Sequence, residues 1–150
     1  MRVVLADDAA VLREGHGRML AGAGIEVAAQ VATAAELLAV VDEVRPDVAV
    51  VDIRMPPTWT DEGLVAAGQI GERHPEIGVL LLSQYVEAIY ALRLLEAGPT
   101  RTGYLLKDRV LDLDDFITAL ERVAAGETVV DPALVAQLVD RRREGDPSPS

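Results

Sequence analysis

Short, almost purely apolar runs alternate along this chain with longer segments of amphipathic, helix-like periodicity. Five runs have the composition of buried strands, roughly at residues 2–6, 25–31, 47–51, 77–82 and 102–106. Helical patterns follow them, near residues 9–22, 34–44, 61–73, 86–97 and 111–125. Apolar strands that alternate with helices are typical of a parallel sheet covered on both faces. The predicted fold class is therefore α/β, a doubly wound (βα)5 parallel sheet.

A sixth, short helix is predicted after the fifth repeat. Asp131 followed by Pro132 is typical of a helix N-cap with proline at the first helical position, and the pattern runs to about residue 142. Residues 143–150 have the composition of a disordered linker. The expected organisation is one domain over residues 1–126, a helical extension over 127–142 and a linker over 143–150.

The composition excludes several classes of protein. The chain has 150 residues, which favours a single domain, and no cysteine, which excludes disulfide frameworks and thiolate sites. No apolar run approaches the ~20 residues of a membrane helix, and the N-terminus shows no signal peptide. We therefore expect a cytoplasmic protein with no membrane association. The net charge of -11 argues against a nucleic-acid surface on this chain.

Polar residues stand where four of the apolar runs end. These are Asp7 with Asp8, Asp52, Ser83 and Lys107. The carboxyl ends of parallel strands share one edge of a sheet, and ligands bind there. Carboxylate oxygens favour hard cations such as Mg²⁺, and an aspartate can also attack phosphorus as a nucleophile.

Each of these residues also has a simple structural explanation. Asp8 or Ser83 could cap the helix that follows, and Lys107 could be a surface lysine. Because all of them coincide at successive strand ends, we favour metal-assisted phosphoryl chemistry.

These residues resemble the receiver domain of two-component response regulators, over about residues 1–126. The matching pieces are Asp7-Asp8, Val51-Asp52-Ile53-Arg54-Met55-Pro56, Ser83 and Gly103-Tyr104-Leu105-Leu106-Lys107. The resemblance implies a flavodoxin-like fold in which a sensor histidine kinase phosphorylates Asp52.

The resemblance also assigns a role to each site residue. Mg²⁺ would be held by Asp7, Asp8, Asp52 and the backbone carbonyl of Arg54. Ser83 and Lys107 would contact the phosphoryl group, and Ser83 and Tyr104 would form the switch. Such a domain is not an enzyme beyond its own phosphoryl transfer and dephosphorylation.

Further segments are similar to the receivers of LuxR-type transcription factors. They are the proline-rich loop after Asp52, the run at residues 83–87 and the run at residues 103–110. This similarity implies a helix-turn-helix output domain, which residues 127–150 do not contain. DNA binding is therefore expected only through a domain absent from this chain. Phosphorylation is expected to alter self-association, with a homodimer as the candidate assembly.

Departures from the receiver pattern include the loop after Asp52 and the residue after Ser83. The loop at residues 54–62 is about three residues longer than usual and carries Trp59, for which a solvent-shielding contact is favoured over partner binding. Gln84 is larger than the residue that usually follows Ser83. These departures keep a phosphorylation-independent scaffold open as an alternative. A phosphohydrolase of the haloacid dehalogenase type is less favoured, because it requires an aspartate where Arg54 stands.

Overall fold

Among the residues that the structure describes, the sheet is built from six parallel strands. A computed structural model describes residues 1–84, 93 and 101–145. Its strands are β1 (Arg2–Ala6), β2 (Glu26–Val31), β3 (Val48–Asp52), β4 (Gly78–Ser83), β5 (Thr102–Leu106) and β6 (Val129–Val130). They lie in the order β2-β1-β3-β4-β5-β6, and every pair is parallel. The predicted doubly wound α/β fold is confirmed. The two-residue strand β6 was not predicted, because it is too short to show a periodic pattern.

Five α-helices are present in the described ranges. They are α1 (Ala10–Gly22), α2 (Ala34–Val44), α3 (Glu62–Arg73), α4 (Leu113–Ala124) and α5 (Pro132–Gly145). The helix predicted near residues 86–97 lies outside the described residues, apart from Arg93. None of the described helices is long and apolar enough to cross a membrane.

Helix α5 is longer than predicted. It continues through residues 143–145, which were assigned to the linker, while residues 146–150 lie outside the described part. Arginine and glutamate have good helix propensity, so Arg143 and Glu144 continue the helix. The N-terminal boundary agrees with the sequence, since α5 begins at Pro132 and Ala133 donates its N–H to the Asp131 carboxylate at 2.9 Å.

In the described part of the chain, two hydrophobic clusters lie on the two faces of the sheet. Alternate residues of a strand point to opposite faces. Thus Leu81 and Tyr104 pack with residues of α2, α3 and α5 on one face, whereas Leu80 and Leu105 pack with residues of α1 and α4 on the other. Leu134 of α5 is fully buried in the first cluster. The segment after residue 126 therefore contributes to the core.

Asp131 connects this last segment to the end of β5. Its side chain is fully buried, and its own N–H donates to the Tyr104 carbonyl at 2.8 Å. The carboxylate accepts hydrogen bonds from the Leu106 N–H at 3.1 Å and from the Arg109 guanidinium at 3.1 Å through both Nε and Nη2. Burial alone would raise the pKa of Asp131, but these hydrogen bonds together lower it.

We expect Asp131→Ala to destabilise the protein by about 2 kcal/mol, because the Leu106 N–H and the Arg109 guanidinium would lose their acceptor and α5 its cap. Asp112→Ala is the matched control. Asp112 caps α4 through the Asp115 N–H at 3.2 Å but is exposed, so its loss is expected to cost about 1 kcal/mol or less. Urea denaturation measures both values. Equal losses in the two variants would contradict a special role for Asp131.

Candidate functional site

Three carboxylates meet at the carboxyl edge of the sheet. β1 pairs directly with β3, so Asp7 and Asp8, which follow β1, lie beside Asp52, the last residue of β3. One oxygen from each carboxylate lies within 4.8 Å of the others. Asp7 and Asp52 are only 4% and 6% exposed, whereas Asp8 is exposed. The structure therefore brings together the acids that were predicted to act as metal ligands.

Lys107 lies between the two buried carboxylates. Its Nζ is 3.2 Å from Asp7 Oδ2 and 3.1 Å from Asp52 Oδ2. The backbone places it there, because Lys107 follows β5 and donates its N–H to the Ser83 carbonyl at 2.8 Å. The ammonium group thus offsets part of the repulsion between the two acids.

Burial and charge shift the protonation of this cluster. Burial raises the pKa of Asp52 to about 6, with a further increase from Asp7, although Lys107 opposes the shift. Burial would lower the pKa of Lys107, but Asp52 and Asp7 raise it. Both shifts favour the protonated, more positively charged form of the side chain. Its all-oxygen donor set suits a hard divalent cation such as Mg²⁺.

This pKa shift predicts a pH dependence of stability in a metal-free buffer. The ordinary pKa of the carboxyl is 3.8, and its folded value is about 6, so the unfolded chain releases this proton first as the pH rises. The stabilising contribution of protonated Asp52 is thus fully present below pH 3.8 and lost as the pH rises through about 6.

We expect wild type to lose about 2 kcal/mol more than Asp52→Asn between about pH 4 and pH 7, as measured by urea denaturation with a chelator present. If the stability of the two proteins changed in parallel over this range, this result would contradict a raised pKa of Asp52.

A cavity of about 260 Å³ opens beside the cluster. Asp8, Asp52, Ser83 and Lys107 line it, together with Ala9, Leu12, Arg54, Trp59 and Gln84. Ser83 is the last residue of β4 and is buried. The Arg54 N–H donates to Asp52 Oδ1 at 3.3 Å, which orients that carboxylate. The cavity therefore places Ser83 and the Lys107 ammonium group beside Asp52.

Tyr104 lies apart from this cavity. It is fully buried in the hydrophobic cluster on the α3 side, and in the sheet it pairs with Leu81 of β4. The structure thus places the predicted switch residue beneath the site, on the strand that leads to Lys107.

The long loop after Asp52 is organised by Glu62. Its carboxylate accepts hydrogen bonds from the Thr58 N–H at 2.7 Å, the Thr60 N–H at 3.0 Å and the Thr58 hydroxyl. The Thr58 hydroxyl, followed by these N–H groups, lowers the pKa of Glu62 to about 2. The loop therefore has a defined shape although residues 57–60 are exposed. This role of Glu62 was not predicted, because no sequence motif indicates it.

Trp59 extends from this loop to the acidic cluster. Its indole Nε1 donates to Asp8 Oδ2 at 2.8 Å, and its side chain is about half exposed at the rim of the cavity. Asp8 does not cap α1. The N-cap residue is Ala9, and it is Asp7 Oδ1 that accepts the Ala9 N–H, at 2.9 Å.

Gly63 packs directly against the backbone of Asp52. Its N–H donates to the Ile53 carbonyl at 2.8 Å. A Cβ at this position would lie 2.8 Å from both the Asp52 carbonyl carbon and the Ile53 Cα. Only glycine allows α3 to start so close to the site, and this requirement was not predicted, because no sequence motif indicates it.

Comparisons with known proteins agree on one family. Residues 3–121 match the model of the response regulator receiver domain. Oxygen regulatory protein NreC of Staphylococcus epidermidis is 37% identical over 141 residues, which cover 93% of this chain and 62% of that protein. The chain thus spans about three fifths of that relative's length.

Solved structures of similar shape include two from response regulators. A LuxR-family two-component response regulator from Aurantimonas sp. SI85-9A1 has a TM-score of 0.81 at 26% identity, covering 95% of this chain and 97% of that one. The signal receiver domain of the NarL response regulator from Mycobacterium tuberculosis has a TM-score of 0.73 at 31% identity. The match covers 84% of this chain and 97% of that one.

Proposed function

Because the chain belongs to the receiver domains of response regulators, of the kind found in LuxR-family regulators, we propose that Asp52 accepts a phosphoryl group from a sensor histidine kinase. One observation carries this assignment. Asp52 is the buried carboxylate that lines the cavity while contacting Lys107 and lying among the candidate metal ligands.

The residues around Asp52 support distinct roles in the transfer. Asp7, Asp8, Asp52 and the backbone carbonyl of Arg54 would hold Mg²⁺, which neutralises charge on the phosphoryl group when it is bound. Lys107 holds the Asp52 carboxylate at 3.1 Å and favours its ionised, nucleophilic form. The added negative charge would then be received by the Lys107 ammonium and the Ser83 hydroxyl.

We propose that Ser83 and Tyr104 form the switch. Ser83 ends β4 and lines the cavity, and the neighbouring strand β5 carries Tyr104 in a fully buried position. A movement of Ser83 toward the phosphoryl group would change the space around β5 and shift an existing equilibrium between two packings.

Output and location are proposed from the family. We propose that this receiver acts in the cytoplasm and takes part only in its own phosphoryl transfer and dephosphorylation. Phosphorylation would alter homodimerisation, and DNA would be bound through a helix-turn-helix domain outside these 150 residues. The greater length of the NreC relative is compatible with such a domain.

Phosphorylation of the purified chain by acetyl phosphate tests this proposal. We expect one hydroxylamine-labile phosphoryl group per chain in the presence of Mg²⁺ and none in the presence of a chelator, detected by intact-mass spectrometry. A chain that takes up no phosphate and is a constitutive dimer would be a scaffold. Steady release of phosphate from a phosphate ester would instead indicate a phosphohydrolase.

A further inference from the structure

We propose that Trp59 is a positioning residue that orients the Asp8 carboxylate for metal binding, so that Mg²⁺ affinity depends on the indole N–H. This inference rests on the proposed function, since it concerns the same site. It assigns a role to the lengthened loop at residues 54–62.

Asp8 differs from the other two acids in how it is held. Asp7 and Asp52 are buried and are fixed by Lys107 and by backbone N–H groups. Asp8 is exposed, and its carboxylate accepts the indole N–H of Trp59, 51 residues away in sequence, at 2.8 Å. A hydrogen bond to an ionised acceptor is stronger than one between neutral groups, so this contact restricts rotation of the Asp8 side chain.

The loop is shaped to make this contact. Trp59 has a φ of 51°, in the left-handed region that non-glycine residues rarely adopt. Its N–H donates to the Met55 carbonyl at 2.9 Å, and the flanking residues Thr58 and Thr60 are held by Glu62. An unfavourable backbone conformation that the surrounding contacts maintain is typical of a functional position.

The chemistry of indole suits a supporting role at a metal site. Indole is neutral and can only donate through its nitrogen, so it does not ligate Mg²⁺. It engages one oxygen of Asp8 and leaves the other as the ligand atom. Groups that orient a metal ligand in this way typically contribute 10–100-fold to metal affinity.

The test is calorimetric titration of the unphosphorylated chain with Mg²⁺. Trp59→Phe keeps an aromatic ring but removes the donor, and we expect binding to weaken about 10-fold. Glu62→Gln leaves the indole intact but weakens the hydrogen bonds that hold the loop, so a smaller loss in the same direction is expected. Val65→Ala, at an exposed position on α3, is the control and should bind as wild type does.

A second measurement uses the only tryptophan of the chain. We expect its fluorescence to change when Mg²⁺ is added to wild type and to remain constant in Asp8→Asn. Equal or tighter binding by Trp59→Phe would overturn this inference while leaving the proposed function intact. If wild type bound no Mg²⁺, both this inference and the proposed function would be wrong. If Trp59→Phe did not fold, the inference would be tested by Mg²⁺ binding to Glu62→Gln and by the fluorescence titration. Wild-type affinity in Glu62→Gln together with unchanged tryptophan fluorescence in wild type would then overturn it.

Discussion

Asp52→Asn is expected to reduce phosphoryl incorporation from acetyl phosphate to background while the fold is retained. Asparagine has nearly the same shape and keeps an oxygen that can accept the Arg54 N–H, as Asp52 Oδ1 does at 3.3 Å. Lys107 also keeps its second partner, Asp7, at 3.2 Å. The amide lacks the carboxylate nucleophile, so no acyl phosphate can form. Intact-mass spectrometry with Mg²⁺ measures the loss.

Asp108→Asn is the matched control for this prediction. Asp108 is an exposed acid directly after Lys107 and is not among the acids grouped with Asp52. Its replacement removes one negative charge close to the site and should leave incorporation unchanged. Phosphorylation of Asp52→Asn at the wild-type level would mean that another residue is the acceptor.

Gly63→Ala is expected to destabilise the protein by about 3 kcal/mol and to slow phosphorylation by about 10–100-fold. The new methyl group would lie 2.8 Å from the Asp52 carbonyl carbon and the Ile53 Cα. Because these are backbone atoms, they cannot rotate away, and α3 or the end of β3 must move. Either movement displaces the Asp52 carboxylate from Lys107. Urea denaturation and the rate of phosphoryl incorporation measure the two effects.

Gly68→Ala on the same helix provides the control. A Cβ at Gly68 would meet nothing within 4 Å, and the residue is exposed. Alanine in the interior of a helix is favoured over glycine, so this variant should gain about 1 kcal/mol and phosphorylate normally. If both variants were stabilised, the close approach at Gly63 would not exist.

The architecture was predictable because the signal lies in local patterns. Runs such as residues 48–51 and 79–82 are apolar at every position, which indicates strands buried on both faces of a parallel sheet. That topology also explains why Asp7, Asp52 and Lys107 meet, since each stands at the carboxyl end of a strand.

The remaining contacts were not predictable because they depend on tertiary geometry. Nothing in the sequence pairs Trp59 with Asp8 or Asp131 with Arg109, and the loop at residues 54–62 has no regular repeat. In the sequence, Gly63 is an ordinary residue at the start of a predicted helix. In the structure, the backbone of Asp52 leaves no room for a side chain at this position.

Strand β6 and Leu134 determine where this protein can be shortened. A chain ending at residue 126, the expected boundary, would lose the partner of β5 at Gly103 and Tyr104 and the buried Leu134. It would present an unpaired, apolar strand edge, which promotes aggregation between chains. A fragment that resists aggregation during crystallisation or NMR should therefore retain helix α5.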